Sequence, residues 1–570
     1  MVEEIECDVV VVGGGLAGLR AAIEAAKAGK GRLRVALVSK THPMRSHSVS
    51  AEGGTAAVLY PDEGDSIESH VWDTVKGSDF LADQPVVERF AQMAPQEIIQ
   101  LEHWGMPWAR RSDGRIAQRL FGGQSYPRAC YAEDRVGFFE MSTLYDTSLR
   151  FDEITIYDEW FMTSILRSDG RFAGIVALSL KTGELGVFRA KAGVLATGGA
   201  GRIYSFASFG HSSTPDGHAA ALRTGLPLMD MEFVQFHPTG LVPSGILITE
   251  ASRGEGGILR NARNERFMER YAPKAKDLAP RDIVSRAMVT EIREGRGLKT
   301  EEGEDYLLLD LTVIEPEVVK KRLTSIREIC LKNAGIDPIE EPIPVRPVAH
   351  YFMGGVATDI DGATELAGLW AAGEVACNGL NGANRLGSNS TTECLVWGRI
   401  TGGLAARFAM SHGAAEPPRE EVVREEKRIF DKLLGPAPRV NPYDVKRELQ
   451  KIMEESFHVF REQRGMEEGL RRIRKLREEL ELGVADKSRY YNTNLTNVLE
   501  IEAMLEVCEV IGVAALNRTE SRGAHARVDY PQRDDANWLK HTLVYRAAEG
   551  LEISYRDVAI TTYRPVERQY

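Results

Sequence analysis

A glycine-rich turn set between an apolar strand and an Ala-rich helix constrains this chain more than any other feature. Residues 8–38 read as a βαβ unit. Asp8–Val12 is a short strand, Gly13-Gly14-Gly15-Leu16-Ala17-Gly18 the turn, Leu19–Ala28 a helix closed by Gly29, and Arg34–Val38 a second strand. Gly13, Gly15 and Gly18 give the G-x-G-x-x-G spacing, which permits a tight turn and lets backbone N–H groups approach a pyrophosphate at a helix N-terminus. The second strand runs into Ser39-Lys40 and not into the usual Asp or Glu that holds a ribose hydroxyl; Ser39 can still hydrogen-bond there. Ala196-Thr197-Gly198-Gly199-Ala200-Gly201-Arg202 is again an apolar strand entering glycines, read as a return strand beside the same dinucleotide.

The chain has 570 residues, more than one hydrophobic core accommodates. Its net charge of -12 argues against nucleic acid, because neutralising phosphates takes clustered Lys and Arg. None of the six cysteines forms a C-x-x-C pair, so neither zinc nor an iron–sulfur cluster is expected within the chain, and the scattered thiols suit a reducing compartment. No run approaches the ~18 apolar residues of a membrane span. The acidic start does not read as a signal peptide. Residues 154–198 alternate like antiparallel strands, with turns at Ser168–Gly170 and Lys181–Gly183. Residues 231–353 place isolated His, Thr and Arg in loops, with helix-like runs at 281–294 and 315–334. From Pro417 to about 520 the pattern is charged and helical, and the tail from about 531 reads as short strands.

A third segment narrows the class. Met44-Arg45-Ser46-His47-Ser48-Val49-Ser50-Ala51-Glu52-Gly53-Gly54 sets a histidine among small residues just after the dinucleotide turn. This run resembles the flavin-attachment segment of the succinate dehydrogenase and fumarate reductase flavoprotein subunits. Further motifs follow in that family's order: Phe121-Gly122-Gly123-Gln124-Ser125, Phe236-His237-Pro238-Thr239-Gly240, Thr249-Glu250-Ala251-Ser252-Arg253-Gly254, Arg281-Asp282-Ile283-Val284-Ser285-Arg286, His350-Tyr351-Phe352-Met353-Gly354-Gly355, Ala371-Ala372-Gly373-Glu374, Gly382-Ala383-Asn384-Arg385-Leu386-Gly387-Ser388-Asn389-Ser390 and Glu520-Ser521-Arg522-Gly523-Ala524-His525. The resemblance covers essentially the whole chain.

It implies an α/β plus α fold: a Rossmann-like FAD-binding domain in two pieces (1–230 and 354–415), an inserted capping domain (231–353), a helical domain (416–530) and a small C-terminal region (531–570). It implies FAD bound covalently through His47, with Gly13, Gly14, Gly15, Gly18, Ser39, Lys40, Ser48, Gly53, Gly54, Ala196, Gly198, Asp216, Glu374 and Ser390 on the cofactor. His237, Thr249, His350, Arg385 and Phe121 would bind substrate, and Arg281 would move a proton with Glu250 and Arg253 as relay. The residue chemistry agrees: an arginine fork suits one carboxylate, imidazoles and a hydroxyl the other. An arginine is an unusual base, since its ordinary pKa lies above ~12, but in fumarate reduction it acts as an acid. The reaction implied is succinate ⇌ fumarate. The partners implied are an iron–sulfur subunit and membrane anchor subunits exchanging electrons with quinone. The chain would then be peripheral, on the cytoplasmic side of the cell membrane. L-aspartate oxidase is the nearest alternative, and its lack of an attachment histidine sets it against His47. An FAD-binding RNA-modification protein is opposed by the acidic charge, and a non-catalytic flavin scaffold by the intact arginines and histidines. Glu52 is the type often seen in fumarate reductases, and Trp538-Leu539-Lys540-His541-Thr542 leans the same way. The tail Tyr563-Arg564-Pro565-Val566-Glu567-Arg568 resembles many dehydrogenases. The direction of flow stays open, with dehydrogenase slightly favoured.

Overall fold

The computed structural model describes residues 3–479 and 483–569. Its centre is a parallel sheet of five strands in the order Leu369–Ala371, Ala192–Leu195, Val9–Val12, Val35–Ser39 and Ile154–Asp158. Val9–Val12 is buried throughout, as an unbroken valine run in a sheet covered on both faces should be. The following helix is Leu16–Gly29, three residues longer at its start than the pattern indicates. Its left-handed cap is Lys30, not Gly29, which is pressed instead against Leu33.

A second helix, Asn389–Ser411, comes from the far sequence piece and lies directly on Leu16–Gly29. A Cβ on Gly398 would stand 2.7 Å from the Ala17 carbonyl oxygen, and one on Gly402 would stand 2.2 Å from that of Ala21. These two glycines, one turn apart, let the helix backbones meet, and so lock the two pieces of the Rossmann-like domain together.

Residues 154–198 do not form one antiparallel set. Ile154–Asp158 and Ala192–Leu195 belong to the parallel sheet, while Trp160–Ser168, Arg171–Ser179 and Leu185–Arg189 form an antiparallel meander edged by Glu3–Glu6. Period-two alternation reports a strand but not its partner. The chain turns out of the parallel sheet at Glu159, where φ is 61°. Both expected turns are present, with positive φ at Asp169, Gly170 and Gly183.

Residues 231–353 build a capping unit around an antiparallel sheet: Val234–Leu241, Ile343–Phe352, Asp305–Asp310 and Ile258–Arg260. Arg281–Glu291 and Thr324–Ala334 complete its own core with Leu259, Val284, Met288, Leu307 and Ile326. The helical run at 315–334 is broken at Leu323. His237 and His350, expected in loops, lie on strands. Beyond, helices Arg419–Leu434, Pro442–Ser456 and Gln463–Glu479 carry the charged pattern, whereas Thr493–Asn517 is an apolar helix buried through Ile501, Met504, Leu505 and Ile511. No helix among the described residues is long and apolar enough to cross a membrane.

The C-terminal strands Lys540–Arg546 and Leu551–Asp557 extend a sheet that contains Leu228–Met229, Gly355–Ala357 and Ala376–Cys377. His541 fastens them: its Nδ1 is 2.6 Å from Asp230 Oδ2 and its Nε2 is 3.2 Å from Asp83 Oδ1. Burial opposes the imidazolium, but the two carboxylates outweigh it and raise its pKa to about 9. A folded pKa above the unfolded value of ~6.5 makes this stabilisation complete below pH ~6.5 and loses it as pH rises through 9. His541→Gln should therefore lower unfolding free energy by about 3 kcal/mol at pH 6 and by little at pH 10. Thermal unfolding at both pH values checks this; an equal loss at both would show that His541 acts by packing alone.

Candidate active site

One cavity of about 880 Å³ runs from the glycine turn of the parallel sheet to the capping sheet and is lined by Gly13, Ser39, Lys40, His47, Phe121, Asp216, His237, Thr249, Glu250, Arg281, His350, Glu374, Arg385 and Ser390, whereas Gly18 and Arg253, also expected at the site, do not line it. Its first end is made of backbone. A Cβ on Gly13 would fall 2.0 Å from the Ala196 carbonyl oxygen, one on Gly14 2.7 Å from Ser39 Oγ and one on Gly18 1.8 Å from the Gly13 carbonyl oxygen. Gly13 has φ 116°, which also excludes a side chain. The residues preceding the helices that start at Leu16 and at Asn389 make no side-chain cap bond. Both helix N-termini lie at the cavity, a setting for anionic or electron-rich groups. Ser48 Oγ accepts the Leu16 N–H at 3.3 Å. Glu374 packs against Gly199, accepts the Phe352 N–H at 2.9 Å, and burial raises its pKa to about 8. Lys40 and Asp216 pair with each other at 2.6 Å, and Glu500 joins them at 3.0 Å. Gly53 lies against the Phe121 ring, and Gly54 against the Cys130 carbonyl.

His47 stands between the two ends. Its ring stacks on Phe209 at 5.1 Å, and its Nδ1 accepts the Gly210 N–H at 3.2 Å. Burial, with Arg202 assisting, lowers its pKa to about 4. The ring is thus neutral, and Nε2 carries the proton.

The second end is made of side chains. Arg281 opens the helix Arg281–Glu291. Its Nε donates to Glu250 Oε2 at 2.7 Å, and its Nη1 donates to Gln235 Oε1 at 3.0 Å. Arg385 Nη2 donates to that same Gln235 oxygen at 3.2 Å, and Nη1 to Ser390 Oγ at 3.1 Å, while its guanidinium lies 4.2 Å over the Tyr351 ring. Glu250 Oε1 accepts the Gly122 N–H at 2.6 Å, and Arg253 lies 3.9 Å from Glu250 Oε2. Burial opposes the charge of Glu250, but Arg281 and Arg253 hold its pKa below the usual carboxylate value. Burial, then Arg281, lowers that of Arg385 to about 10. Strand irregularities aim the histidines. The register slips opposite His350 and again after His237, where Pro238 has no N–H to pair. The two rings meet at 5.0 Å. Burial first, then Arg281, pushes both pKa values well below that of free histidine. His237 Nδ1 accepts the Thr239 N–H, so its unpartnered Nε2 is a donor, and His350 Nδ1 lies 2.8 Å from Ser208 Oγ.

The electrostatics of this end are unbalanced. Of three buried guanidinium groups, those of Arg253 and Arg281 share the carboxylate of Glu250, and Arg385 has no ion-pair partner among the described residues. Arg385 Nε and Arg253 Nε and Nη2 have no hydrogen-bond acceptor. Buried cations left unpaired cost several kcal/mol, so the pocket is built for a ligand of two negative charges.

Comparison with known proteins agrees with this geometry. A family model described as FAD binding domain matches residues 8–391, and one described as fumarate reductase flavoprotein C-term matches residues 446–570. The chain is 45% identical to the fumarate reductase flavoprotein subunit of Mycobacterium tuberculosis, with 99% of each covered. It is 44% identical to the succinate dehydrogenase flavoprotein subunit of Rickettsia bellii, over 97% of this chain and 96% of that one. A variant of E. coli quinol fumarate reductase superposes with a TM-score of 0.96 at 42% identity, each chain covered to 99%. The chain belongs to the succinate dehydrogenase and fumarate reductase flavoprotein family. Mycobacterium smegmatis Sdh1, at 36% identity and a TM-score of 0.86, covers 99% of this chain and 96% of its own.

The protein is thus a flavoprotein oxidoreductase of the succinate dehydrogenase/fumarate reductase type, and FAD is its cofactor. The glycine cradle, the two helix starts and the adjoining His47 fit that dinucleotide. Sequence reading did not single out Gln235, which is 1% exposed and holds both active-site arginines. The signal was available: on a strand, the residue two before His237 faces the same side. Nor did it single out Tyr351 beneath Arg385, or Ser208 beside His350. Gln235→Leu should leave both guanidiniums without their shared acceptor and weaken dicarboxylate binding by about 10-fold or more, since a hydrogen bond to a charged group contributes ~1.5–3 kcal/mol. Titration of malonate against the flavin absorbance measures it; unchanged affinity would mean that Gln235 plays no part in ordering the arginines.

Proposed function

We propose that this protein interconverts succinate and fumarate with FAD attached covalently to His47, and exchanges electrons with an iron–sulfur subunit held at the membrane by anchor subunits. The observation that carries the reading is the excess positive charge of Arg253, Arg281 and Arg385 over the one carboxylate of Glu250, at one end of the cavity whose other end is the dinucleotide cradle. Bound FAD supplies the hydride acceptor or donor.

The chain's own residues supply the rest. Arg385 takes one carboxylate of the substrate. His237, His350 and Thr249 take the other as neutral donors, with Phe121 closing the side. Forming fumarate also removes a proton from the carbon next to the one losing hydride, and the reverse reaction returns it. The ordinary candidates for that proton are occupied. Both histidines are far too weakly basic, and Glu250 is held ionised between two arginines. The resemblance to the succinate dehydrogenase and fumarate reductase family gives the proton to Arg281, with Glu250 and Arg253 leading away from the substrate, and the low basicity of the histidines and Glu250 agrees with it. At His47, Nδ1 is engaged by Gly210, which leaves Nε2 as the attaching atom. Similarity to quinol-fumarate reductase supports delivery of electrons through partner subunits at the membrane, and the family resemblance implies its cytoplasmic side. No observation favours L-aspartate oxidation.

Two measurements test this. Protein from its native host, acid-denatured and run on a denaturing gel, should show a flavin-fluorescent band that vanishes in His47→Ser; yellow colour left wholly in the supernatant would sink the covalent bond. The His47→Ser protein should keep FAD and lose more succinate oxidation than fumarate reduction. Arg281→Lys should lower kcat by about 100-fold or more with FAD and malonate still bound, the scale of a lost general acid–base. A near-parent kcat with a raised KM would instead make Arg281 a carboxylate binder.

A further inference from the structure

The tail motif Tyr563–Arg568 is not used by any step above, yet the fold delivers it with care. Gln84, 1% exposed, accepts the backbone N–H groups of Thr561, Thr562 and Tyr563 on one oxygen at 3.1, 2.8 and 2.9 Å, and returns its Nε2 to the Tyr563 carbonyl at 2.6 Å. The Tyr563 ring packs on Trp72 at 5.1 Å. Lys76 donates to the Gln569 carbonyl at 3.2 Å. These anchors all lie on the FAD-binding half.

They bring Arg568 to a buried acidic corner. Its Nη2 is 3.0 Å from Asp79 Oδ2 and 2.6 Å from Asp282 Oδ2, with the side chain 8% exposed. Asp79 belongs to the FAD-binding half. Asp282 belongs to the capping unit and directly follows Arg281 in the first turn of its helix. Asp79 also accepts the Gly523 N–H and pairs with Arg533, both at 2.9 Å. The Gly523 carbonyl in turn receives Arg286, one turn further along the Arg281 helix. Arg568 and the Gly523 carbonyl thus grip two successive turns of this helix, and none of Asp282, Arg286 and Arg568 lines the cavity.

We propose that Arg568 is a positioning residue for proton transfer: a clasp between the two halves that fixes the first helical turn, and through it the aim of Arg281. The inference rests on Arg281 as proton carrier. Glu250 and Gln235 hold the far end of the Arg281 side chain, but its Cα is set by the turn that Asp282 anchors. Without Arg568, Asp282 loses its ion pair beside a second buried carboxylate, Asp79, which keeps Arg533, and the turn must shift to admit water. A displacement of an ångström or less at a reacting group is enough to slow the chemistry.

The test uses the assembled holoenzyme with Arg568→Ala, Arg568→Lys, a truncation after Glu567, Arg281→Lys in parallel, and Arg564→Ala as an exposed tail control. Arg568→Ala and the truncation should lower kcat per bound flavin by about 5- to 30-fold in both directions, while the KM for succinate and inhibition by malonate change less than about threefold. The solvent deuterium isotope effect on kcat should rise. Lysine, which can still bridge two carboxylates, should restore kcat to within about threefold of the parent. Asp282→Asn added to Arg568→Ala should recover part of the loss by removing the unpaired charge. If Arg568→Ala does not fold, Arg568→Gln, which keeps the bulk, takes its place. A parent-like kcat beside an inactive Arg281→Lys overturns this inference alone. So does a loss confined to flavin content and thermal stability. An active Arg281→Lys enzyme overturns the proton-carrier reading and the clasp with it.

Discussion

Two guanidinium groups donate to one amide oxygen. Arg281 Nη1 and Arg385 Nη2 meet on Gln235 Oε1 at 3.0 and 3.2 Å, inside a pocket where Arg253 adds a third positive charge and Glu250 is, among the described residues, the single carboxylate bound to any of them. Like charges this close and this buried repel, and burial removes the water that would screen them. The surroundings answer that field. Both histidines become neutral, so they offer N–H groups without adding charge. Glu250 stays ionised and is tied on one side to a backbone amide. The residual positive charge is left for the ligand, and its sign and size suit a small dianion.

The cofactor end is built on the opposite principle. There the chain withholds side chains: glycines allow backbone contact at Gly13, Gly14 and Gly18, and the residues before two helix N-termini make no side-chain cap bond. The second helix can reach that position because Gly398 and Gly402 let it rest on the first. A long, chemically invariant cofactor is served by backbone donors whose positions secondary structure fixes. A small substrate that must be told from its neighbours is served by side chains of specific charge.

The same contrast explains what was legible in the sequence. The dinucleotide turn could be read because glycine spacing, strand and helix are local and each carries its own signal. The identities at 47, 237, 249, 281, 350 and 385 were legible only as short motifs resembling a family, since residues so far apart in sequence say nothing alone about meeting. Gln235 went unread because glutamine is ordinary on a strand and its importance lies in what it joins. The pairing of Ile154–Asp158 was misjudged because alternation does not encode which strand lies alongside. Thr493–Asn517 was swept into a charged helical region because its neighbours dominate the local composition, whereas its own apolar face lies all round, as in a helix at the centre of a bundle.

Where these residues sit in the two halves matters as much as what they are. His237, Thr249, Glu250, Arg281 and His350 lie within 231–353, whereas Arg385, Ser390 and His47 lie on the FAD-binding half. The seam between the halves therefore runs through the substrate pocket, with a cation on each side and one glutamine oxygen between them. A dianion between them offsets the residual charge on both sides at once, whereas a monocarboxylate neutralises one side only and leaves the other cation uncompensated. The match to two charges thus follows from how the chain divides its arginines between domains as well as from their number.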